Sequence, residues 1–185
     1  NAADGDLLQP LQAHKDIVYT VSASSDGKRF ASGGADDTVI LWVLKGDQYA
    51  GELKYKHQDA VQRVSYNPVS RQLLSCTASD FGLWHPEQRS VDKHRVESKI
   101  LSCSWTPNGL HFALGFFNGK IQIRDRDGSE RLYIERGAPV WALSWTSSRD
   151  GKDVLAVGCW DQTLSFYRLN GLQHYARDQR LGFAP

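Results

Sequence analysis

The chain contains no methionine and opens on Asn1, so it is expected to be a piece of something longer. No stretch approaches the ~20 consecutive apolar residues that span a bilayer as a helix, and no secretory leader opens it. Like charges never run together: 22 Lys and Arg stand against 21 Asp and Glu, a net charge of +1. The electrostatic footprint of a nucleic-acid or anionic-membrane binder is therefore missing. A loose basic cluster around Arg89–Arg95 is interrupted by Asp92 and reads as a solvated face. The three cysteines, Cys76, Cys103 and Cys159, are far apart and form no CxxC pair. That spacing argues against a disulfide framework or zinc site and fits small buried side chains in a reducing compartment. Six histidines, His14, His57, His85, His94, His111 and His174, share no metal-ligand spacing. No GxSxG, GxGxxG, P-loop or HExxH pattern occurs, so no catalytic, cofactor-binding or metal-binding residue and no cofactor is expected, and the chain reads as a non-enzyme. No segment sustains a 3.6-residue period, which predicts essentially no helix.

What the chain does hold is repetition. The stretch Phe30–Trp42 places two short apolar runs around the small-residue turn Gly33-Gly34-Ala35-Asp36-Asp37 and ends on tryptophan, and degraded copies recur three times downstream. Strands are predicted at 17–22, 29–33, 38–43 and 49–55, then at 61–66, 72–77, 81–84 and 90–94. A third set is predicted at 100–105, 111–115, 120–124 and 130–135, and a fourth at 140–145, 154–158, 163–167 and, weakly, 172–175. Asp-Gly and Asn-Gly pairs at 26–27, 108–109, 118–119, 127–128, 150–151 and 170–171 mark the turns between them, because the positive φ that tight hairpins need suits those residues. Trp42, Trp84, Arg124 and Tyr167 close equivalent strands at spacings of 42, 40 and 43 residues. Four strands per ~40–45 residues is the signature of β-propeller blades, which bury their faces by stacking on one another. The fold expected is therefore all-β: four full blades over 13–56, 57–97, 98–137 and 138–185. Residues 1–12 are expected to form one outer strand of a preceding or closing blade, held at an edge by Pro10.

The residues Ala13-His14, Ala31-Ser32-Gly33-Gly34-Ala35-Asp36 and Ile40-Leu41-Trp42 resemble the WD-repeat family. The resemblance implies a hydrogen-bonded clasp of His14, Ser32, Asp36 and Trp42, with fragments of it at His57, Asp80 and Trp84 and at Asp161. The third unit departs most, with Asn118 and Arg124 at the Asp and Trp positions. Longer wording, including Val64-Ser-Tyr-Asn-Pro68, Ser79-Asp-Phe-Gly-Leu-Trp84 and Ala113-Leu-Gly-Phe-Phe-Asn-Gly119, resembles the WD-repeat subunits of intraflagellar transport complex A over nearly the whole chain. In Ser79–Trp84 the turn before the third strand reads as two residues shorter than in the first unit. Closed rings of seven such units need roughly 290 residues, so four blades are expected to form an open arc.

The first unit has small residues in its second-to-third strand turn, but the third has Phe116-Phe117 and the fourth has Cys159-Trp160. Phe116, Phe117 and Trp160 are therefore candidate protein-docking residues, since exposed aromatics gathered on one face mark interfaces. Trp105, Trp141 and Trp145 lie on predicted first strands, near the propeller axis or its walls; Trp105 and Trp145, at the same repeat position, read as core packing rather than as an aromatic cage for a cation. The function implied is a non-catalytic scaffold in complex A, serving retrograde transport and admission of membrane cargo to the cilium. Its partners would be the sister subunits and possible cargo or adaptors, in the cytoplasm, cilium and basal body, with no nucleic acid and no membrane insertion. The alternative is a WD-repeat adaptor elsewhere, such as a ubiquitin-ligase substrate receptor or a coat-like subunit.

Overall fold

A computed structural model describes residues 4, 6–147, 152–170 and 173–179, with 169–170 and 173–179 as backbone alone. The described residues contain sixteen strands and no helix. The first sheet is β1 (Val18–Ala23), β2 (Arg29–Gly34), β3 (Thr38–Lys45) and β4 (Gln48–Lys56). The second is β5 (Arg63–Tyr66), β6 (Leu73–Cys76), β7 (Asp80–Trp84) and β8 (Asp92–Arg95). β9 (Ile100–Trp105), β10 (His111–Phe116), β11 (Lys120–Asp125) and β12 (Glu130–Glu135) form the third. The fourth is β13 (Val140–Ser147), β14 (Asp153–Cys159), β15 (Leu164–Asn170) and β16 (Gln173–Gln179). Within every sheet the strands pair antiparallel in chain order, so each is a simple meander. The predicted turns at 150–151 and 170–171, and the start of the run at Leu172, lie wholly or partly outside the described residues.

The hydrophobic core sits between the sheets. Side chains alternate across a strand, so each sheet offers one apolar set to each neighbour. Ala31, Val39 and Leu41 of the first sheet meet Val61, Val64 and Trp84 of the second. Leu74 and Phe81 meet Ile100, Phe112 and Leu114 across the next joint. Ala113, Ile121 and Ile123 meet Val140, Leu155 and Tyr167 across the last. Each such side chain, fully buried, contributes roughly 1.5–3 kcal/mol, and none of that gain exists for one sheet alone. Strands β6 and β7, covered on both faces, are buried at every position, whereas the outer strands β8 and β12 alternate.

Repeat-equivalent contacts set the spacing of the joints. Val140 packs on Gly115, where an added Cβ would stand 2.6 Å from its Cγ1. Val61 packs on Gly33 in the same way. Val61, Ile100 and Val140 are wholly buried, but their equivalent in the first sheet, Val18, is 46% exposed. At the other end Gly158 meets nothing nearer than the Ala142 Cβ at 3.6 Å. The four blades thus form an arc that is not closed into a ring.

Two details differ from the sequence reading. Residues 6–14 make no strand. Pro10 has no N–H to pair, and the segment engages β4 through side chains: Gln9 donates to Tyr49 O at 2.9 Å and accepts from Tyr49 N at 2.8 Å, and Lys54 Nζ donates to Ala13 O at 3.1 Å. The second turn is also shorter by one residue, not two: Ser32 pairs with Ile40, eight residues on, and Ser75 pairs with Gly82, seven residues on.

Candidate functional site

The polar residues gathered by the repeat bond to one another. In the first blade the loop ahead of β1 carries His14 over the sheet. Its Nδ1 lies 2.9 Å from Asp36 Oδ1 in the β2–β3 turn, and its Nε2 lies 2.7 Å from Ser32 Oγ on β2. Trp42 Nε1, on β3, donates to the same hydroxyl at 2.9 Å. A serine hydroxyl has one proton to give. Ser32 can accept from Trp42 while donating its own proton to His14 Nε2, an arrangement in which His14 Nδ1–H donates to Asp36. Burial pushes the Asp36 carboxyl up, but the Lys15 N–H at 2.9 Å and the His14 ring outweigh it and hold the carboxyl below its ordinary value. Asp37, beside it, has the positive φ of 59° that closes the turn.

The second blade repeats the arrangement more deeply. His57 Nδ1 is 2.6 Å from Asp80 Oδ1 and Nε2 is 2.8 Å from Ser75 Oγ. Burial holds the His57 ring below its ordinary pKa, against the pull of Asp80 in the other direction. Trp84 keeps the register of Trp42, facing Leu73 as Trp42 faces Phe30, and Tyr55 from the first blade donates its hydroxyl to Ser75 Oγ at 3.1 Å. Ser75 is a clasp member that the sequence reading missed, although it stands one repeat, 43 residues, beyond Ser32.

The last two blades change the chemistry. In the third, Leu114 stands at the serine position and Val96 at the histidine position. Arg124, at the tryptophan position, donates to Gly128 O at 2.7 Å and to Gln122 Oε1 at 2.9 Å, and lies 5.1 Å from the Phe81 ring centre. Asn118, at the Asp position, caps its own turn by accepting from Lys120 N at 3.1 Å. In the fourth, Asp161 keeps its place and accepts from Thr163 N at 3.0 Å. Arg136 stands where the histidine stood, four residues ahead of the first-strand valine. It donates to Thr163 Oγ1 and to Tyr167 OH, each at 2.9 Å, and lies 3.9 Å from Asp161.

The candidate docking residues separate. Phe116 is 3% exposed and belongs to the core between the second and third blades, a correction with a simple cause. It is the last residue of β10, and neighbouring strand residues point to opposite faces. Phe117, one residue on, is 54% exposed, and Trp160, at the equivalent turn of the fourth blade, is 64% exposed. Trp105 and Trp145 are buried as expected, but Trp141 is 57% exposed and meets Trp160 edge to face, ring centres 5.4 Å apart and planes at 79°. Among the described residues no group of three or more His, Cys, Asp or Glu side chains could hold a metal ion, and no helix is long and apolar enough to cross a membrane.

A family model described as the IFT122 first beta-propeller matches residues 1–185. The chain belongs to that family. It is similar to the protein named intraflagellar transport protein 122 homolog of Xenopus tropicalis, at 54% identity over the whole chain and 16% of that relative. The Homo sapiens protein of the same name is 40% identical, again over the whole chain and over 20% of the relative. The chain therefore spans about a fifth or less of these relatives. Among solved structures, the β-propeller domain of Myceliophteria thermophila Cps50 (Swd1) superposes with a TM-score of 0.74 at 16% identity, covering 91% of this chain and 60% of that one. At that identity the likeness speaks for the fold alone. In this chain the clasp residues bond within their blades, and Trp141, Trp160 and Phe117 are more than half exposed.

Proposed function

We propose that this propeller is a non-catalytic docking scaffold within a subunit of intraflagellar transport complex A. The observation that supports it best is the division of labour among the site residues. The His, Ser and Asp side chains that could do chemistry are engaged inside the blades, while large aromatics stand free on one face. A rigid sheet scaffold that presents independent loops suits the binding of other proteins. The names of the relatives add intraflagellar transport; within it we assign this scaffold to retrograde movement and ciliary admission of membrane cargo, with residence in the cytoplasm, cilium and basal body. Phe117 and Trp160 are the residues we assign to partner docking, and the segment 1–12, whose described residues 6–12 make no strand by themselves, would become an outer strand only where another blade supplies its neighbour. Affinity purification of the intact protein from ciliated cells tests this reading. Recovery of the other complex A subunits is the expected result. Recovery of a ubiquitin ligase or a vesicle coat without them overturns it.

A further inference from the structure

The Trp141–Trp160 pair has an origin in the backbone. β13 pairs with β14 through Val140–Cys159 and then Ala142–Gly158, so Trp141 is the extra residue of a β-bulge. The same shift falls at Tyr19 in the first sheet and at Leu101 in the third. A bulge re-aims the side chain it carries, and at Trp141 it turns an indole out beside the β14–β15 turn. That turn is fixed by Trp160 N donating to Pro139 O at 3.0 Å and by the positive φ of 66° at Gln162. Two indoles, each more than half exposed, meet at 79° and form a two-walled corner.

The face around the corner carries the complementary sign. In an antiparallel meander the second-to-third and fourth-to-first strand connections all emerge on one side. Among the described residues these connections hold six carboxylates, Asp16, Asp36, Asp37, Asp59, Glu97 and Asp161, against Lys15, Lys99 and Arg136. The described residues of the opposite connections, 24–28, 46–47, 67–72, 85–91, 106–110, 126–129 and 152, hold four carboxylates and five cations. A chain of net charge +1 thus shows its acidic excess on the side of the exposed indoles. Asp161 itself is balanced by Arg136 at 3.9 Å and gives its Oδ1 to Thr163, so the pull on a cation comes from the indole faces and from the wider excess. The negative face of an indole attracts a cation, and two perpendicular indoles let one cation touch both.

We propose that the Trp141–Trp160 corner receives a cationic side chain, lysine or arginine, carried by the protein that docks on this face. The inference rests on the docking reading above and specifies the chemistry of its partner. The test uses the intact protein and choline as the probe, with its neutral isostere 3,3-dimethylbutan-1-ol as the control, read by saturation-transfer NMR on the N-methyl or tert-butyl protons. Choline is expected to give the stronger signal. Trp160→Ala or Trp141→Ala, in proteins that keep the wild-type melting temperature, is expected to weaken choline binding about two- to fivefold, the range for a partly exposed cation–π contact. Trp160→Phe, which keeps an aromatic wall, is expected to fall between and serves if the alanine variants do not fold. Equal signals from the two probes would make the corner an apolar site, and a choline signal indifferent to all three variants would place choline elsewhere. Either result overturns the inference. If complex A subunits still co-purify in that case, the docking reading stands without it.

Discussion

In the first blade an imidazole four residues ahead of Val18 reaches an Asp in the turn and a serine on the sheet, and a tryptophan closes the chain through that serine. In the fourth blade a guanidinium four residues ahead of Val140 reaches the equivalent Asp and a tyrosine hydroxyl, with a threonine between them. The positions are the same and the groups are not. A fork of N–H donors can replace an imidazole because the clasp needs one group that spans the gap between loop and sheet and satisfies the turn Asp. Between these two, the third blade drops the clasp. It fills the histidine and serine positions with Val96 and Leu114 and anchors Arg124 against the second blade's Phe81. What is held constant is the joint between blades, and what varies is how each blade pins its own turn.

The largest expected contrast is between the third-strand closers. Trp42→Ala removes a buried indole as well as its hydrogen bond and is expected to lower stability by about 3–5 kcal/mol. Tyr167→Phe removes only the hydroxyl that accepts from Arg136 and is expected to cost about 1 kcal/mol. Urea-unfolding midpoints compare them, and equal losses would break the distinction. Next, Arg136→Met keeps the stem but leaves Asp161, Thr163 and Tyr167 without their shared donor, for an expected loss of about 2 kcal/mol. Local hydrogen exchange should then rise in β14 and β15 while β2 and β3 keep their protection.

A smaller effect separates the clasps by pH. Burial holds the His57 ring below its ordinary value, so the unfolded chain binds the extra proton more readily than the folded one. The stability it contributes is complete above the unfolded pKa near 6.5 and is lost as pH falls below it. Asp36, also held low, contributes above about pH 4 and loses that contribution below it. The guanidinium of Arg136 does not titrate in this range. Hydrogen exchange between pH 7 and 5 should therefore show the second blade loosening before the fourth, and the reverse order would contradict the assignment.

Much of this was legible in the chain itself. The 40–43-residue spacing of Trp42, Trp84, Arg124 and Tyr167 places all four sheets, because each repeat must offer the same two faces to its neighbours. The first clasp was equally readable because all four of its members are present. Arg136 was missed because arginine is not a WD-repeat clasp residue, although its place ahead of Val140 matches those of His14 and His57. Phe116 was misassigned because one residue of strand register inverts the face a side chain meets. The exposure of Trp141 was not legible because the bulge that turns it out is a register shift between paired strands, which the sequence of one strand does not show. The run at residues 7–11 looked like a strand, but a strand needs a neighbour, and Gln9 alone makes the two bonds to Tyr49.

Holding together falls to the clasps, and docking to the face that carries the exposed indoles. Capture of complex A subunits by the intact protein bearing Trp160→Glu, at an unchanged melting temperature, tests that division most directly. Capture is expected to fall sharply while the fold persists. Undiminished capture by the same well-folded variant would contradict it.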